Sequence, residues 1–310
     1  MKIAFVFPGQ GSQTVGMMNA WSDDAVVQEA LKAGNDALGE DICGLIARGP
    51  ADMLNLTTHT QPAMLLCSVA MYRAWREAGG AEPALVAGHS LGEYSALVAA
   101  GSLDLADAIR TVRVRAQAMQ SAVPVGEGGM AAIIGLDDEA VRQACAQAEQ
   151  GQAVEAVNFN APGQIVIAGH TAAVERACEL AKAAGAKRAL VLPVSAPFHS
   201  RLLEPAARVL AETLAKIAVA APHIPLINNV DVAQPRDPAA IRDALVRQAW
   251  HPVRWVETII AMKGAGVTHV VECGPGKVLS GLVRRIDREI QSFNITDPAS
   301  LRQTLESLGG

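Results

Sequence analysis

Aromatic residues are scarce, at 4% of 310 positions. A core for a chain this long must therefore be built mostly from Ala, Val, Leu and Ile. Cysteine is scarce as well. Cys43, Cys67, Cys145, Cys178 and Cys273 are an odd set of five, widely spaced, with no C-x-x-C pair. That argues against a disulfide framework and against zinc, and it fits a reducing compartment; no metal site is expected. Excess positive charge is missing too. The net charge is −5 and there is no basic tail, which argues against a nucleic-acid-binding coat. Long hydrophobic runs are also absent. The opening run Ile3 to Phe7 is too short for a signal peptide. Residues 53–72 are uncharged but hold Asn55, Thr57, Thr58, His59, Gln61 and Pro62. They read as a loop and a buried helix rather than a membrane span. A cytoplasmic protein with one large domain and something smaller is the expectation.

What the chain does have is Gly88-His89-Ser90-Leu91-Gly92. An apolar run, residues 83–87, leads in, and a small-residue helical pattern, residues 93–100, leads out. Strand, tight turn and helix are the context that a G-x-S-x-G nucleophile elbow requires. The helix directs its amide end and positive dipole end at the serine. The competing reading is a glycine-rich turn with a bystander serine.

The first strand, Ile3 to Phe7, is continuously apolar, as a buried parallel strand is. It stops at Pro8-Gly9-Gln10-Gly11-Ser12-Gln13, which is neither G-x-G-x-x-G nor a P-loop. Residues 23–48 have helical spacing broken at Gly34 and Gly39. Residues 62–78 read as an apolar helix. Residues 105–121 form another, with Leu105, Ala108, Ile109, Val112, Ala116 and Met119 on one face. Arg115 falls at the edge of that stripe, in line with Ala108 and Val112. Such an arginine either snorkels past the core rim or is held to meet an anion.

Residues 124–129 read as a linker. Strands then follow at 130–134, 153–159, 164–168 and 188–194, with helices at 137–150 (Asp137 as N-cap) and 171–184 (Thr171 as N-cap). The order βαββαβ is that of a ferredoxin-like unit. Residues 124–197 are therefore expected to be a ferredoxin-like subdomain inserted into an α/β core of residues 1–123 and 198–310. In the returning core, residues 202–217, 239–248 and 255–263 read as helices. Residues 224–228 suit an edge strand, residues 267–272 another strand, and a helix runs to Arg288.

A serine hydroxyl needs a base. Seven histidines are available. His89 adjoins Ser90 and is expected to point elsewhere. His59, His170, His223, His251 and His269 are read in loops or at strand starts. His199 follows a strand end where the chain returns from the insertion. It is the best of several, with a structural histidine as the competing reading. An oxyanion needs amide donors. Leu91, after the serine, supplies one in an elbow. Gln10, in the first loop, is the candidate for the second.

These stretches together resemble the malonyl-CoA:acyl carrier protein transacylases, the family that loads malonyl groups for bacterial fatty acid synthesis. The resemblance covers nearly the whole chain. It rests on Phe7-Pro8-Gly9-Gln10-Gly11-Ser12-Gln13, Gly88-His89-Ser90-Leu91-Gly92-Glu93, Arg115, residues 158–164, Pro197-Phe198-His199-Ser200, Gln248 with His251-Pro252-Val253, and residues 272–276. It implies a hydrolase-like parallel-sheet domain with a ferredoxin-like insertion. It implies Ser90 as nucleophile, His199 as general base and acid, and Gln10 and Leu91 as oxyanion amides. The backbone carbonyl of Gln248 would orient the histidine in place of a triad acid. Arg115 would grip the malonyl carboxylate, with Asn158, Asn160 and Phe198 also on the substrate. Phe198 is expected to crowd an α-methyl branch. Transfer would be ping-pong, through malonyl-serine. No cofactor is implied beyond the coenzyme A and phosphopantetheine that arrive with the substrates.

The carrier protein of that family is acidic. Lys277, Arg284, Arg285 and Arg288 are the expected docking patch, against the alternative of a solvated charged face. Three other functional readings are a serine thioesterase, a non-catalytic carrier-docking module, and a transacylase of the same fold serving polyketide synthesis or malonate decarboxylation.

Overall fold

The computed structural model describes residues 1–194 and 196–309; Ser195, in the return segment, and Gly310 lie outside the described residues. Among the described residues, nine strands divide into two sheets. β1 (Ile3–Phe7), β2 (Leu85–Gly88), β7 (Leu226–Ile227), β8 (His269–Cys273) and β9 (Gln291–Ile295) form a parallel sheet in the order β7-β2-β1-β8-β9. β3 (Gly128–Ile134), β4 (Val154–Ala161), β5 (Gln164–His170) and β6 (Arg188–Val191) form an antiparallel sheet in the order β4-β5-β3-β6. That order, with two helices on one face, is the ferredoxin-like arrangement.

β1 sits at the centre of the parallel sheet because every residue in it is apolar and both of its faces are covered. Phe5 and Phe7 point to one side, onto Tyr72 and Trp75 of the helix Thr57–Glu77, at ring distances of 5.3–5.9 Å. Ala4 and Val6 point to the other, into a cluster with Leu85, Ala87, Trp255 and Ile259. The few aromatics thus concentrate against the central strand, while the insertion core is largely Ala, Val and Ile.

Backbone hydrogen bonds join β4 of the insertion to the core segment that precedes the helix Trp255–Gly264. Phe159 N–H donates to the Val253 carbonyl at 3.0 Å, and Val253 N–H donates to the Val157 carbonyl at 2.8 Å. Where the chain returns to the core, Arg201 is held by Glu155 and Glu149. β4 is thereby fixed over the carboxyl ends of β1 and β2, where α/β sheets place their ligands.

Several local expectations need correction. The helix expected from residue 62 begins at Thr57 and carries Pro62 inside it, so His59 is helical rather than in a loop. The helix Ala25–Leu38 runs straight through Gly34 and ends at left-handed Gly39. Gly34 serves packing: a Cβ there would lie 2.4 Å from Leu66. The supposed linker at 124–129 already contains the start of β3. Thr171 does not cap its helix; His170 is the N-cap, and the Thr171 hydroxyl donates to the Gly126 carbonyl instead. Asp137 does cap, accepting from Ala140 N–H. β6 stops at Val191, and the helix expected to reach Arg288 ends at Ile286. The edge strand β7 is only two residues long. β9 and the last helix, Pro298–Leu308, were not anticipated from the pattern. Among the described residues no helix is long and apolar enough to cross a membrane.

The tightest approach in the core involves glycine. A Cβ on Gly92 would lie 2.0 Å from the Phe7 carbonyl oxygen, and one on Gly88 would lie 1.9 Å from Gly92 backbone. Backbone cannot move aside as a side chain does. Gly92→Ala should therefore destabilise the fold by about 3 kcal/mol. Gly281→Ala, in the helix Val278–Ile286 with open space around it, should stabilise by about 0.5–1 kcal/mol by relieving glycine's helix penalty. Urea unfolding of the two variants checks both signs; wild-type stability in Gly92→Ala would contradict the close approach.

Candidate active site

Ser90 occupies the turn between β2 and the helix Gly92–Ala99, with φ of 52°. A serine rarely adopts that left-handed conformation, so the surroundings must hold it there. Five hydrogen bonds brace it. Ser90 N–H donates to Asn229 Oδ1 at 2.7 Å, and Asn229 Nδ2 donates to the Gly88 carbonyl at 2.7 Å. Gln248 Nε2 donates to the Ser90 carbonyl at 2.9 Å. Glu93 Oε2, buried beneath, accepts from Asn229 N–H and from Gln248 Nε2. Burial pushes the Glu93 carboxyl up to about 7, against the pull of those donors.

His199 faces the serine. Its Nε2 lies 2.6 Å from Ser90 Oγ, and its Nδ1 lies 2.8 Å from the Gln248 carbonyl oxygen. A carbonyl only accepts, so Nδ1 carries the proton and Nε2 is left bare toward the hydroxyl. Burial, then the Arg115 charge, lowers the imidazole to about 3. The ring is therefore neutral at physiological pH. No carboxylate takes the orienting position; the backbone carbonyl at the end of the helix Pro238–Gln248 does. His89 points away, as expected. Its Nε2 meets Asn160 Oδ1 at 2.7 Å and its ring lies against Trp255.

Arg115 does not snorkel. It is 2% exposed. Nη1 donates to Gln61 Oε1 at 2.7 Å, and Nη2 donates to Gln248 Oε1 at 3.0 Å and to Ser90 Oγ at 3.2 Å. Its Nε has no partner among the described residues, and no carboxylate pairs with the guanidinium there. Burial lowers its pKa from the usual arginine value. A buried cation without a counter-ion is costly in a finished core. Beside a cavity it is suited to an incoming anion.

The cavity is about 200 Å³ and takes its walls from both sheets. Gln10, Ser90, Leu91, Arg115, Phe198 and His199 come from the core side. Asn158, Asn160, Met130 and Val166 come from the insertion. Among the described residues, the backbone N–H groups of Gln10 and Leu91 meet no acceptor. Every site residue named from the sequence except the basic patch thus borders or orients this one cavity. Lys277, just before the helix Val278–Ile286, Arg284 and Arg285 on it and Arg288 after it are all exposed. Arg285 reaches Gln164 and Arg284 reaches the Ser292 carbonyl. Among the described residues none of the four forms an ion pair. Glu93, Asn229, Gln61 and Thr57 were not singled out from the sequence as parts of the site. All four act through hydrogen bonds that only the folded arrangement creates.

Comparison with known proteins gives the family. The acyl transferase domain family matches residues 4–296. The malonyl CoA-acyl carrier protein transacylase of Escherichia coli (strain K12) is 54% identical over 306 residues, 98% of this chain and 99% of that one. A crystal structure of an acyl-carrier-protein S-malonyltransferase from Burkholderia pseudomallei 1710b is 64% identical, with a TM-score of 0.97, covering 99% of this chain and 100% of that one. A malonyl-transacylase solved in complex with a type II PKS acyl-carrier protein is 50% identical, with a TM-score of 0.98, over 99% and 100% of the two chains. The chain belongs to the acyl transferase domain family, among the malonyl CoA-acyl carrier protein transacylases.

Proposed function

We propose that this acyltransferase moves a malonyl group from malonyl-CoA to the phosphopantetheine thiol of an acyl carrier protein, by a ping-pong route through a malonyl ester of Ser90. The observation that carries the reading is the serine–imidazole pair set beside a buried guanidinium with no carboxylate of its own. The first two groups suit acyl transfer. The third suits an acyl group that bears a charge.

In the first half-reaction Ser90 Oγ attacks the thioester carbonyl carbon as His199 Nε2 takes its proton. The carbonyl oxygen becomes an oxyanion facing the free amides of Gln10 and Leu91; each such donor is worth about 3 kcal/mol in a transition state. The C–S bond then breaks and His199 returns the proton to the coenzyme A sulfur. In the second half-reaction His199 takes the proton of the carrier thiol, the sulfur attacks the ester, and the C–O bond to Ser90 breaks. The proton then goes back to Ser90 Oγ. A low imidazole pKa favours this cycle at its start, because the ring is already in its base form. Arg115 holds the free carboxylate through its planar fork. An acetyl group leaves that cation unanswered and should transfer more slowly. Asn158, Asn160 and Phe198 would shape the rest of the acyl pocket, with Phe198 limiting an α-branch. The catalytic core would be residues 1–123 and 198–310, with the insertion at 124–197 roofing the cleft.

We also propose that the basic patch receives the acidic carrier. Val278, Leu279 and Leu282 border a second recess with Gln10 and His89, so the patch flanks a path toward Ser90. A related malonyl-transacylase has been solved in complex with a type II PKS acyl-carrier protein.

Two measurements test these readings. Mass spectrometry after mixing with malonyl-CoA alone should find a stoichiometric malonyl adduct on the Ser90 peptide, discharged by a pantetheine thiol and absent from Ser90→Ala. Release of free malonate at a rate indifferent to acceptor would favour a hydrolase instead. Arg284→Glu with Arg285→Glu should raise the carrier KM about tenfold at low salt, because charge complementarity steers such encounters. A carrier KM equal to wild type would remove the patch.

A further inference from the structure

The first loop is clamped from one direction. Gln13 Nε2 donates to Asn55 Oδ1 at 2.9 Å, and Gln13 Oε1 accepts from Gly11 N–H at 2.7 Å. One step along, the Thr57 hydroxyl donates to Gln10 Oε1 at 2.7 Å. The same hydroxyl accepts from Gln61 Nε2 at 3.2 Å, and Gln61 Oε1 accepts from Arg115 Nη1 at 2.7 Å. Thr57 and Gln61 are one helical turn apart on the same face of the helix Thr57–Glu77. Thr57 is 4% exposed and Gln61 2%, so water does not interrupt the row.

The sense of the row is fixed by its first member. A guanidinium only donates. Gln61 must therefore turn its oxygen to Arg115 and its amide to Thr57. The single Thr57 proton is then left to point at Gln10. Four residues on three separate stretches of chain form one directed line from the cation to the loop whose Gln10 lines the cavity with Ser90.

We propose that Thr57 is a positioning residue that couples the carboxylate at Arg115 to the oxyanion donor at Gln10. This rests on the reading of Arg115 as the carboxylate partner and of Gln10 as an oxyanion amide. A carboxylate arriving at the guanidinium competes for, or re-aims, the Nη1 that holds Gln61. Any such shift passes through Thr57 to Gln10. The acyl charge is thereby read in the rate of transfer and not in binding alone. Hydrogen bonds in a low-dielectric row polarise one another, which makes transmission over this distance reasonable. Thr57 touches neither the acyl group nor Ser90, so its effect must travel through the neighbours it holds.

The test compares Ser90 loading from malonyl-CoA and acetyl-CoA in single-turnover experiments. Thr57→Val keeps the shape and removes the hydroxyl. It should slow malonyl loading about tenfold, the scale of one buried hydrogen bond, with malonyl KM nearly unchanged and acetyl loading altered far less. Thr57→Ser keeps the hydroxyl and should restore the malonyl-to-acetyl ratio. An equal loss for both acyl groups, a rise in malonyl KM alone, or no change would overturn the coupling. Arg115→Ala is measured alongside. If its malonyl-to-acetyl ratio equals wild type, the carboxylate reading itself fails. If that ratio collapses in Arg115→Ala but holds in Thr57→Val, the coupling alone fails. Thermal melting of each variant separates these outcomes from misfolding, and Thr57→Ala, which also removes the hydroxyl and adds no bulk, carries the same test if Thr57→Val does not fold.

Discussion

The site depends on a cation buried without an anion. Arg115 lies in the interior between two glutamine side chains and the Ser90 hydroxyl. Neutral amide oxygens answer it only in part. Glu93 is nearby, but Gln248 stands between them, accepting from Arg115 and donating to Glu93. One amide's thickness thus separates the guanidinium from its closest counter-charge. A direct pair would satisfy Arg115 and leave it inert toward a substrate carboxylate. The inserted amide keeps some compensation while leaving the cation available.

The same charge acts on His199, the proposed base. His199 is neutral because it is buried and because Arg115 is close. An anion bound at Arg115 would remove part of that second cause and make the imidazole more basic. On the proposed role of Arg115, substrate charge and base strength are linked through one side chain. Gln248 adds to the economy of the arrangement. Its side chain joins Arg115 to Glu93 and braces the Ser90 carbonyl, while its backbone oxygen orients His199. A triad carboxylate in that position would bring a second negative charge close to where the proposed function seats the acyl carboxylate.

The sequence disclosed most where one stretch carried its own context. Ser90 was legible because glycines, strand and helix flank it within a few residues. Arg115 was legible as an anomaly of phase on an apolar helix face, although pattern alone did not choose between rim and interior. His199 stood out only as the best of several histidines, from its place where the chain returns from the insertion; the family resemblance was needed to choose it. Asn229, Gln61 and Thr57 gave no signal. Their side chains are neutral, their surroundings ordinary, and their partners lie far away in the chain. Asn229 reaches Ser90 across 139 positions and Gln61 reaches Arg115 across 54. The βαββαβ order of the insertion was readable from alternating apolar runs. β9 was not, because Gln291-Ser292-Phe293-Asn294-Ile295 has too few apolar residues to stand out.

The central claim is that the unpaired guanidinium is the seat of the acyl carboxylate. A crystal structure of the chain loaded with malonyl-CoA tests it most directly. The account predicts an ester at Ser90 whose free carboxylate lies within hydrogen-bond reach of the Arg115 nitrogens, about 2.7–2.9 Å. A carboxylate turned out to solvent, with Arg115 still engaged only by Gln61 and Gln248, would contradict it.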